Sequence, residues 1–253
     1  MRADFEAYLS EQYQEEPFTL KMLLEMEDEA GIEKAVVMAD LRKGGQLAFS
    51  PDNEGLAPQI QGNPRTIGCA VLNPHLGRKG VEELKRAVTE WGFQGLKLMP
   101  SAHKFEIDDE IVDPFVETAR DLGIVVSIHS GIGNSHPTRI GRLAGRYPEV
   151  SIIMDHMGFP EHVQEAIQVA EEHPTIHLGT TILRFFRPAE TAVPEEVREA
   201  VTRLGPERVV FGSNLPEFRP IQVMQAIQRL ELGPEAERMI FGDNLARVYG
   251  LES

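Results

Sequence analysis

The sequence is poor in cysteine, in basic residues and in long apolar runs. Its single cysteine, Cys69, cannot form an intrachain disulfide. The 25 Lys and Arg residues against 40 Asp and Glu give a net charge of -15, which would repel a phosphate backbone and argues against a nucleic-acid partner. No apolar run approaches the ~20 residues that cross a bilayer, and residues 1–16 lack the apolar core of a signal peptide. These absences predict a cytoplasmic protein with no membrane partner.

Short apolar runs alternate with longer amphipathic segments, and the alternation repeats roughly every 25 to 35 residues. Seven predicted strands begin near Lys34, Thr66, Gly95, Ile124, Ser151, Ile176 and Arg208. Several of the helical segments between them end at glycine just before the next strand, as a helix C-cap should. No linker or low-complexity tract divides the chain, so the sequence predicts one α/β domain over residues 1–253.

A βα series of this length is typical of either a closed (β/α)₈ barrel or a doubly wound open sheet. The dinucleotide-binding form of the open sheet would need a Gly-x-Gly-x-x-Gly turn. The nearest match is "GIGNSH", in which Gly131 and Gly133 fit but His136 stands at the third glycine position. The sequence therefore favours the barrel.

Polar residues stand at or near the ends of four predicted strands. Alternate side chains of a barrel strand face the helices and the barrel axis in turn. In three strands the apolar residues that face the helices alternate with a polar residue, which therefore faces the barrel axis; these polar residues are Lys97, His129 and Asn214. His156 is the last residue of its strand and lies on the same face as Met154. Because barrel enzymes build active sites at the carboxyl ends of the strands, all four are expected to line one pocket.

At these positions the sequence resembles the amidohydrolase-related metal-dependent hydrolases, which are TIM barrels related to aminocarboxymuconate semialdehyde decarboxylase. The resemblance rests on the ordered motifs "GFQGLKLMP", "GIVVSIHSG", "YPEVSIIMDHMG", "RVVFGSNLP" and "NLARVYGL". It implies a TIM (β/α)₈-type barrel. It also implies a small-molecule substrate, expected to be anionic, that loses CO2 or is hydrolysed at an amide, ester or lactone bond.

The resemblance also implies roles for these residues. His129 corresponds to a histidine that ligates a divalent metal ion, usually zinc, and His156 to one that transfers a proton or lies near the metal. Asn214 stands where the family has an aspartate that is both metal ligand and general base, a base that an amide cannot replace. His129, His156 and Asn214 are thus the expected metal ligands. His156, Asn214 and Lys97 are the expected catalytic residues, with Lys97 orienting the anionic substrate.

The N-terminus departs from the family pattern. The family's first strand carries a His-x-His pair of metal ligands, and no such motif precedes the helix that starts near Thr19. We interpret residues 1–16 as a loop, so the barrel is expected to lack a regular first strand. Oligomerisation or recruitment of N-terminal residues would then cover the exposed edges, and zinc would be held weakly or not at all.

Two function classes stay open: an enzyme of amidohydrolase type, and a non-catalytic or truncated descendant that keeps the pocket for binding or assembly. Further polar residues lie beside strand ends and either reach a ligand or are solvated loop residues, namely His103, His136, Asp155 and Glu217. Cys69 alternates with apolar residues and is expected in the core.

Overall fold

Eight parallel strands form the centre of the molecule. The computed structural model describes residues 1–43, 46–181 and 193–251. Each of these strands pairs in parallel with the next one along the chain. They are β1 (Ala3–Tyr13), β2 (Lys34–Ala39), β3 (Thr66–Leu72), β4 (Gly95–Leu98), β5 (Val125–His129), β6 (Ile152–Asp155), β7 (Ile176–Gly179) and β8 (Val209–Val210). A short strand, Glu16–Phe18, pairs antiparallel with β1, and Arg42–Lys43 pairs antiparallel with Gln46–Leu47.

The sheet curls until β1 meets the segment that starts with β8. The Phe5 backbone N–H donates to the Phe211 carbonyl at 3.1 Å, and the Tyr8 N–H donates to the Leu215 carbonyl at 2.8 Å. Ser213 N–H donates to Asp4 Oδ1 at 3.0 Å. The predicted TIM-type barrel is therefore confirmed, and the free side of β1 is hydrogen-bonded to residues that follow β8.

The expectation that the barrel lacks a regular first strand, with residues 1–16 as a loop, is wrong. Residues 3–13 form β1, which pairs in parallel with β2. The segment alternates apolar residues such as Phe5 with polar ones such as Glu6, which has the period of a strand. The strand contains the acidic residues Asp4 and Glu6, and this acidity made the segment resemble a loop. The N-terminal residues thus fill the gap, and the argument for oligomerisation from an open edge no longer holds.

Helices surround the sheet. The first begins after Thr19, whose hydroxyl accepts from the Met22 N–H, and ends at Gly31, whose φ of 67° is the left-handed conformation that glycine adopts readily. None of the helices described here is long and apolar enough to cross a membrane. The helices are α1 (Leu20–Ala30), α2 (Asn53–Ile60), α3 (Arg78–Thr89), α4 (Pro100–His103), α5 (Asp113–Leu122), α6 (Pro137–Arg146), α7 (Val163–Glu172), α8 (Glu195–Leu204), α9 (Pro220–Gln228), α10 (Pro234–Arg238) and α11 (Asn244–Val248).

The core has two layers. The larger one packs the outward side chains of the strands against the helices. The smaller one fills the barrel interior with Phe5, Cys69 and neighbouring strand residues, and Leu245 of α11 joins it. Cys69 is fully buried there, as expected, and burial raises the pKa of its thiol. The apolar filling leaves the carboxyl ends of the strands for polar groups.

Candidate active site at the carboxyl ends of the strands

A buried ion cluster joins β1, β4 and β6. The Lys97 ammonium donates to Glu6 Oε1 at 2.6 Å and to Asp155 Oδ2. Ser127 Oγ donates to the second oxygen of Asp155 at 2.7 Å, and Tyr8 Oη donates to Glu6 Oε1 at 2.7 Å. The side chains of Lys97, Glu6 and Asp155 are at most 1% exposed. A charge buried this deeply is tolerated only when it is paired, so the three form one structural unit.

The cluster carries more negative than positive charge. Burial favours the neutral acid, and it raises the pKa of Asp155 to about 7 against the attraction of Lys97. Burial also opposes ionisation of Glu6, but the Lys97 charge outweighs it and lowers that pKa. Asp4, whose Oδ1 accepts from the backbone N–H groups of Glu6 and Ser213, has a pKa that burial raises to about 7. Although burial disfavours an ammonium, Asp155 and Glu6 hold the Lys97 pKa above its ordinary value.

Two histidines lie beside this cluster. His129 ends β5, and His156 follows β6, where its φ of 61° turns the chain out of the strand. His156 Nε2 and His129 Nδ1 share a hydrogen bond of 2.7 Å. His156 Nδ1 lies 2.7 Å from Thr181 Oγ1 and 3.3 Å from the Thr181 carbonyl oxygen. His156 is only 4% exposed, whereas His129 is partly exposed, so the chain of hydrogen bonds reaches solvent through His129.

Both imidazoles are neutral near pH 7. Burial lowers the His156 pKa to about 4, against an opposing contribution from Glu6. The His129 pKa lies well below its ordinary value, mainly because the ring is buried, and His156 and Lys97 lower it further. Glu6 and Lys97 act on both rings, so the histidine pair and the ion cluster belong to one site. Two adjacent neutral imidazoles can act as donor and acceptor in turn, which is the requirement for a proton relay.

A cavity of about 390 Å³ opens where β1 and the segment after β8 meet. Tyr8 lines it and connects it to Glu6 through the Tyr8 hydroxyl. Asn214, whose φ of 62° is the left-handed conformation that asparagine tolerates, lines the same cavity. Its volume falls in the range typical of small-molecule sites. The lining residues are Tyr8, Ser10, Tyr13, Gln14, Asp40, Asn214, Pro216 and Glu217.

The structure thus brings together Lys97, His129 and His156, but Asn214 lines a cavity to which those three do not contribute. The role expected for Lys97, orientation of an anionic substrate, disagrees with its burial between two carboxylates. Glu6 and Asp155 were missing from the expected catalytic and metal-binding residues. The sequence contained an indication of both residues, because an acidic residue stands among the apolar residues of each strand: Glu6 follows Phe5, and Asp155 follows Met154.

A family model described as amidohydrolase matches residues 3–251 of this chain. The chain belongs to the amidohydrolase family. The family match starts at residue 3, where β1 begins, and β1 contains no His-x-His motif.

Similar proteins include decarboxylases. The chain is 23% identical over 241 residues to the 2-amino-3-carboxymuconate-6-semialdehyde decarboxylase of Dictyostelium discoideum. The match covers 79% of this chain and 66%, slightly under two thirds, of that protein. A solved 2,6-dihydroxybenzoate decarboxylase with bound 2,6-dihydroxybenzoate has a TM-score of 0.77 at 16% identity, covering 100% and 99% of the two chains. A dihydroxybenzoic acid decarboxylase of Polaromonas, solved with manganese, has a TM-score of 0.70 at 17% identity, covering 99% and 97%. At these identities the solved structures show a shared fold.

The residues at the barrel centre do not fit a catalytic divalent metal ion. Ligand atoms of Glu6, Asp155 and His156 do lie within 4.8 Å of one another. The Lys97 ammonium, however, already contacts both of those carboxylates. Two unit charges ~4 Å apart repel by about 4 kcal/mol near a protein surface, and a dication doubles that energy. His129 bonds to His156, and Asn214 lines the neighbouring cavity, so the three expected ligands do not converge.

Proposed function

We propose that this chain is a hydrolase that cleaves an amide, ester or lactone bond of a small molecule without a catalytic metal ion. The observation that carries the proposal is the hydrogen-bonded pair of His129 and His156, in which only His129 is partly exposed. A water molecule at the barrel mouth would meet His129 first. Because hydrolysis needs a base for that water, the exposed ring is the general base.

The proton path follows from the hydrogen bonds. When His156 Nδ1–H donates to Thr181, His156 Nε2 accepts from His129 Nδ1–H, and His129 Nε2 is left with a lone pair. That lone pair accepts a proton from the attacking water. The proton on His129 Nδ1 then moves toward His156 Nε2, so that the two rings share the positive charge. The Glu6 carboxylate stabilises this charge on His156. The proton returns to the leaving group by the reverse route.

The fixed charge of Lys97 supports this chemistry indirectly. Its ammonium keeps Glu6 ionised in the barrel interior, and ionised Glu6 favours the protonated form of the histidines. Lys97 has no exposed surface and therefore does not bind substrate. We assign it the role of a built-in cation at the barrel centre; the Polaromonas decarboxylase, which shares this fold, was solved with bound manganese.

The charged residues that line the cavity determine which charge on a substrate it can accommodate. Asp40 and Glu217 line it, and none of the residues given above as its lining is basic. An anionic substrate would find no partner of opposite charge there, although the sequence predicted one. A neutral or cationic group that extends into this cavity, from a substrate whose scissile bond lies at His129, is compatible with this lining.

Decarboxylation is the second candidate, and the Dictyostelium relative favours it by its name. A decarboxylase must bind a carboxylate. Neither the buried Lys97 nor the cavity lining supplies a free cation for that purpose. The electrostatics of the described residues therefore favour hydrolysis.

Two parallel assays separate the reactions. One follows hydrolysis of neutral esters, amides and lactones, and the other follows CO2 release from hydroxybenzoates, both in EDTA. We expect EDTA-resistant hydrolysis that His129→Gln abolishes and His75→Gln, a change at an exposed histidine, leaves intact. Release of CO2 with no hydrolysis would favour decarboxylation. Absence of both activities, with ligand binding retained, would support a non-catalytic descendant.

A further inference from the structure

A second group of possible metal ligands lies outside the active site, on the rim of the barrel. His136 immediately precedes α6, His162 immediately precedes α7, and Glu165 is in the first turn of α7. All three side chains are partly buried, and one ligand atom from each lies within 4.8 Å of the others. The two imidazole rings have centroids only 4.1 Å apart. The proposed hydrolysis uses none of these residues.

We propose that His136, His162 and Glu165 form a binding site for one divalent transition-metal ion, with zinc as the best match. Two imidazole nitrogens and one carboxylate oxygen are a ligand set that zinc uses, with a fourth position left for water. Tetrahedral bonds of 2.0–2.1 Å place ligand atoms roughly 3.3 Å apart. His162 Nδ1 and Glu165 Oε1 already lie 3.4 Å apart, and ligand atoms of the whole set lie within 4.8 Å of one another, so only small movements are needed to bring the three together. Their partial exposure leaves room for that movement.

The protonation states suit a metal ion. Burial and the neighbouring His162 lower the His136 pKa, so its ring is neutral at pH 7. A backbone hydrogen bond, together with His162 and His136, lowers the Glu165 pKa, so that side chain is a carboxylate. His136 Nδ1 lies 2.9 Å from Thr138 Oγ1. The same Nδ1 accepts from the Thr138 backbone N–H at 3.2 Å, so two contacts orient the ring. Coordination through Nε2 requires the ring proton to move to Nδ1, where the Thr138 hydroxyl accepts it in place of the backbone contact.

Nearby arginines do not oppose the cation strongly. Arg139 and Arg142 both act on His136. Arg139 pairs with Asp108 at 2.7 Å and with Glu106 at 3.0 Å, and Arg142 pairs with Asp108 at 2.7 Å. These carboxylates compensate much of the arginine charge, so Glu165 supplies the local negative charge at the site.

A bound ion would join two active-site loops. His136 belongs to the loop that follows His129, and His162 belongs to the loop that follows His156. Ser130 Oγ already connects these loops, accepting from the Gly158 N–H at 2.8 Å and donating to the Asp155 carbonyl. The metal would add a second tie farther out. We therefore expect zinc to raise the melting temperature and to order both loops.

The test is zinc titration of the EDTA-treated full chain by calorimetry, with melting temperature as a second readout. We expect one zinc per chain and a rise in melting temperature. Loss of an outer-shell partner weakens metal sites about 10–100-fold, so loss of a direct ligand in His162→Gln or Glu165→Gln should weaken binding roughly 100-fold or more. Glu165→Gln is the variant expected to fold normally, because the Glu165 side chain is near the surface.

Matched controls locate the ion. His173→Gln removes a histidine at the other end of α7, and Glu6→Gln alters the barrel centre. Unchanged zinc affinity in both controls, with loss in the His162 and Glu165 variants, supports the rim site. Zinc binding that survives His162→Gln, or that Glu6→Gln abolishes, would overturn the proposal. So would the absence of any zinc-dependent heat or melting shift in the wild type.

Discussion

Replacement of Lys97 by methionine tests whether this ammonium neutralises the barrel centre. Lys97→Met keeps most of the side-chain volume but leaves Glu6 and Asp155, each at most 1% exposed, without their cation. Removal of one partner from a buried ion pair costs about 3–5 kcal/mol, because the remaining charge is uncompensated. For a chain of this size, 1 kcal/mol corresponds to about 2–4 °C in melting temperature. We therefore expect Lys97→Met to lower the melting temperature by roughly 6–20 °C.

The assay is thermal unfolding followed by circular dichroism near pH 7.5 in EDTA. Lys34→Met is the matched control, since Lys34 is a strand lysine whose ammonium donates to the Pro64 carbonyl at the surface. A surface change of this kind should stay within about 0.5 kcal/mol. Adding Glu6→Gln and Asp155→Asn to Lys97→Met should recover much of the loss, because the buried charges are then gone.

The same variant tests the metal argument. Without the ammonium, the carboxylates of Glu6 and Asp155 should accept a divalent ion, so Mn²⁺ should raise the melting temperature of Lys97→Met. Both proteins are compared in a His162→Gln background, which removes the proposed rim site. The reasoning is refuted if Lys97→Met is as stable as the wild type, or if the wild type binds one Mn²⁺ tightly through Glu6.

Other predictions concern catalysis, the first strand, a buried acid and the metal. His129→Gln should lower kcat by about 10²–10⁴-fold, the usual contribution of a general base, with little change in melting temperature, as steady-state kinetics and unfolding would show. Phe5→Ala should cost about 3–5 kcal/mol in denaturant unfolding, because Phe5 is fully buried in the barrel core, whereas a loop residue would cost little. Burial raises the pKa of Glu27, and repulsion from Asp4 raises it further. The stability that protonated Glu27 contributes is therefore fully present below its pKa in the unfolded chain and is lost as pH rises through its pKa in the folded protein. Glu27→Gln should accordingly be more stable than the wild type at pH 8 by about 1–3 kcal/mol, a difference that disappears near pH 4 in melting experiments. Asn214→Asp should not produce stoichiometric zinc at the barrel centre, because His129 and His156 remain bonded to each other; elemental analysis in the His162→Gln background checks this.

The sequence predicted the barrel and the inward orientation of several residues because both depend on local periodicity. In β5, Val126 and Ile128 pack toward the helices and leave His129 on the other face, as the alternation required. Cys69 fills the interior for the same reason.

The parity argument did not explain His156. Its parity partner Met154 packs on the helix side, and Ile153 faces the interior with Asp155. His156 reaches His129 because β6 ends at Asp155 and the backbone turns to a φ of 61°. A left-handed conformation at a histidine costs about 1–3 kcal/mol and is not encoded by strand periodicity.

The sequence by itself determined the βα order, the family and the positions of Lys97 and His129 on their strands, since these follow from local patterns and ordered motifs. The tertiary structure alone decided that Glu6 and Asp155, which are 149 positions apart in the numbering, share one ammonium. It also decided that the acidic N-terminal segment is a strand and that Asn214 lines a separate cavity. The physical reason is that burial and charge pairing depend on which strands adjoin in the closed barrel. A polar residue is stable inside only where a distant strand supplies its partner.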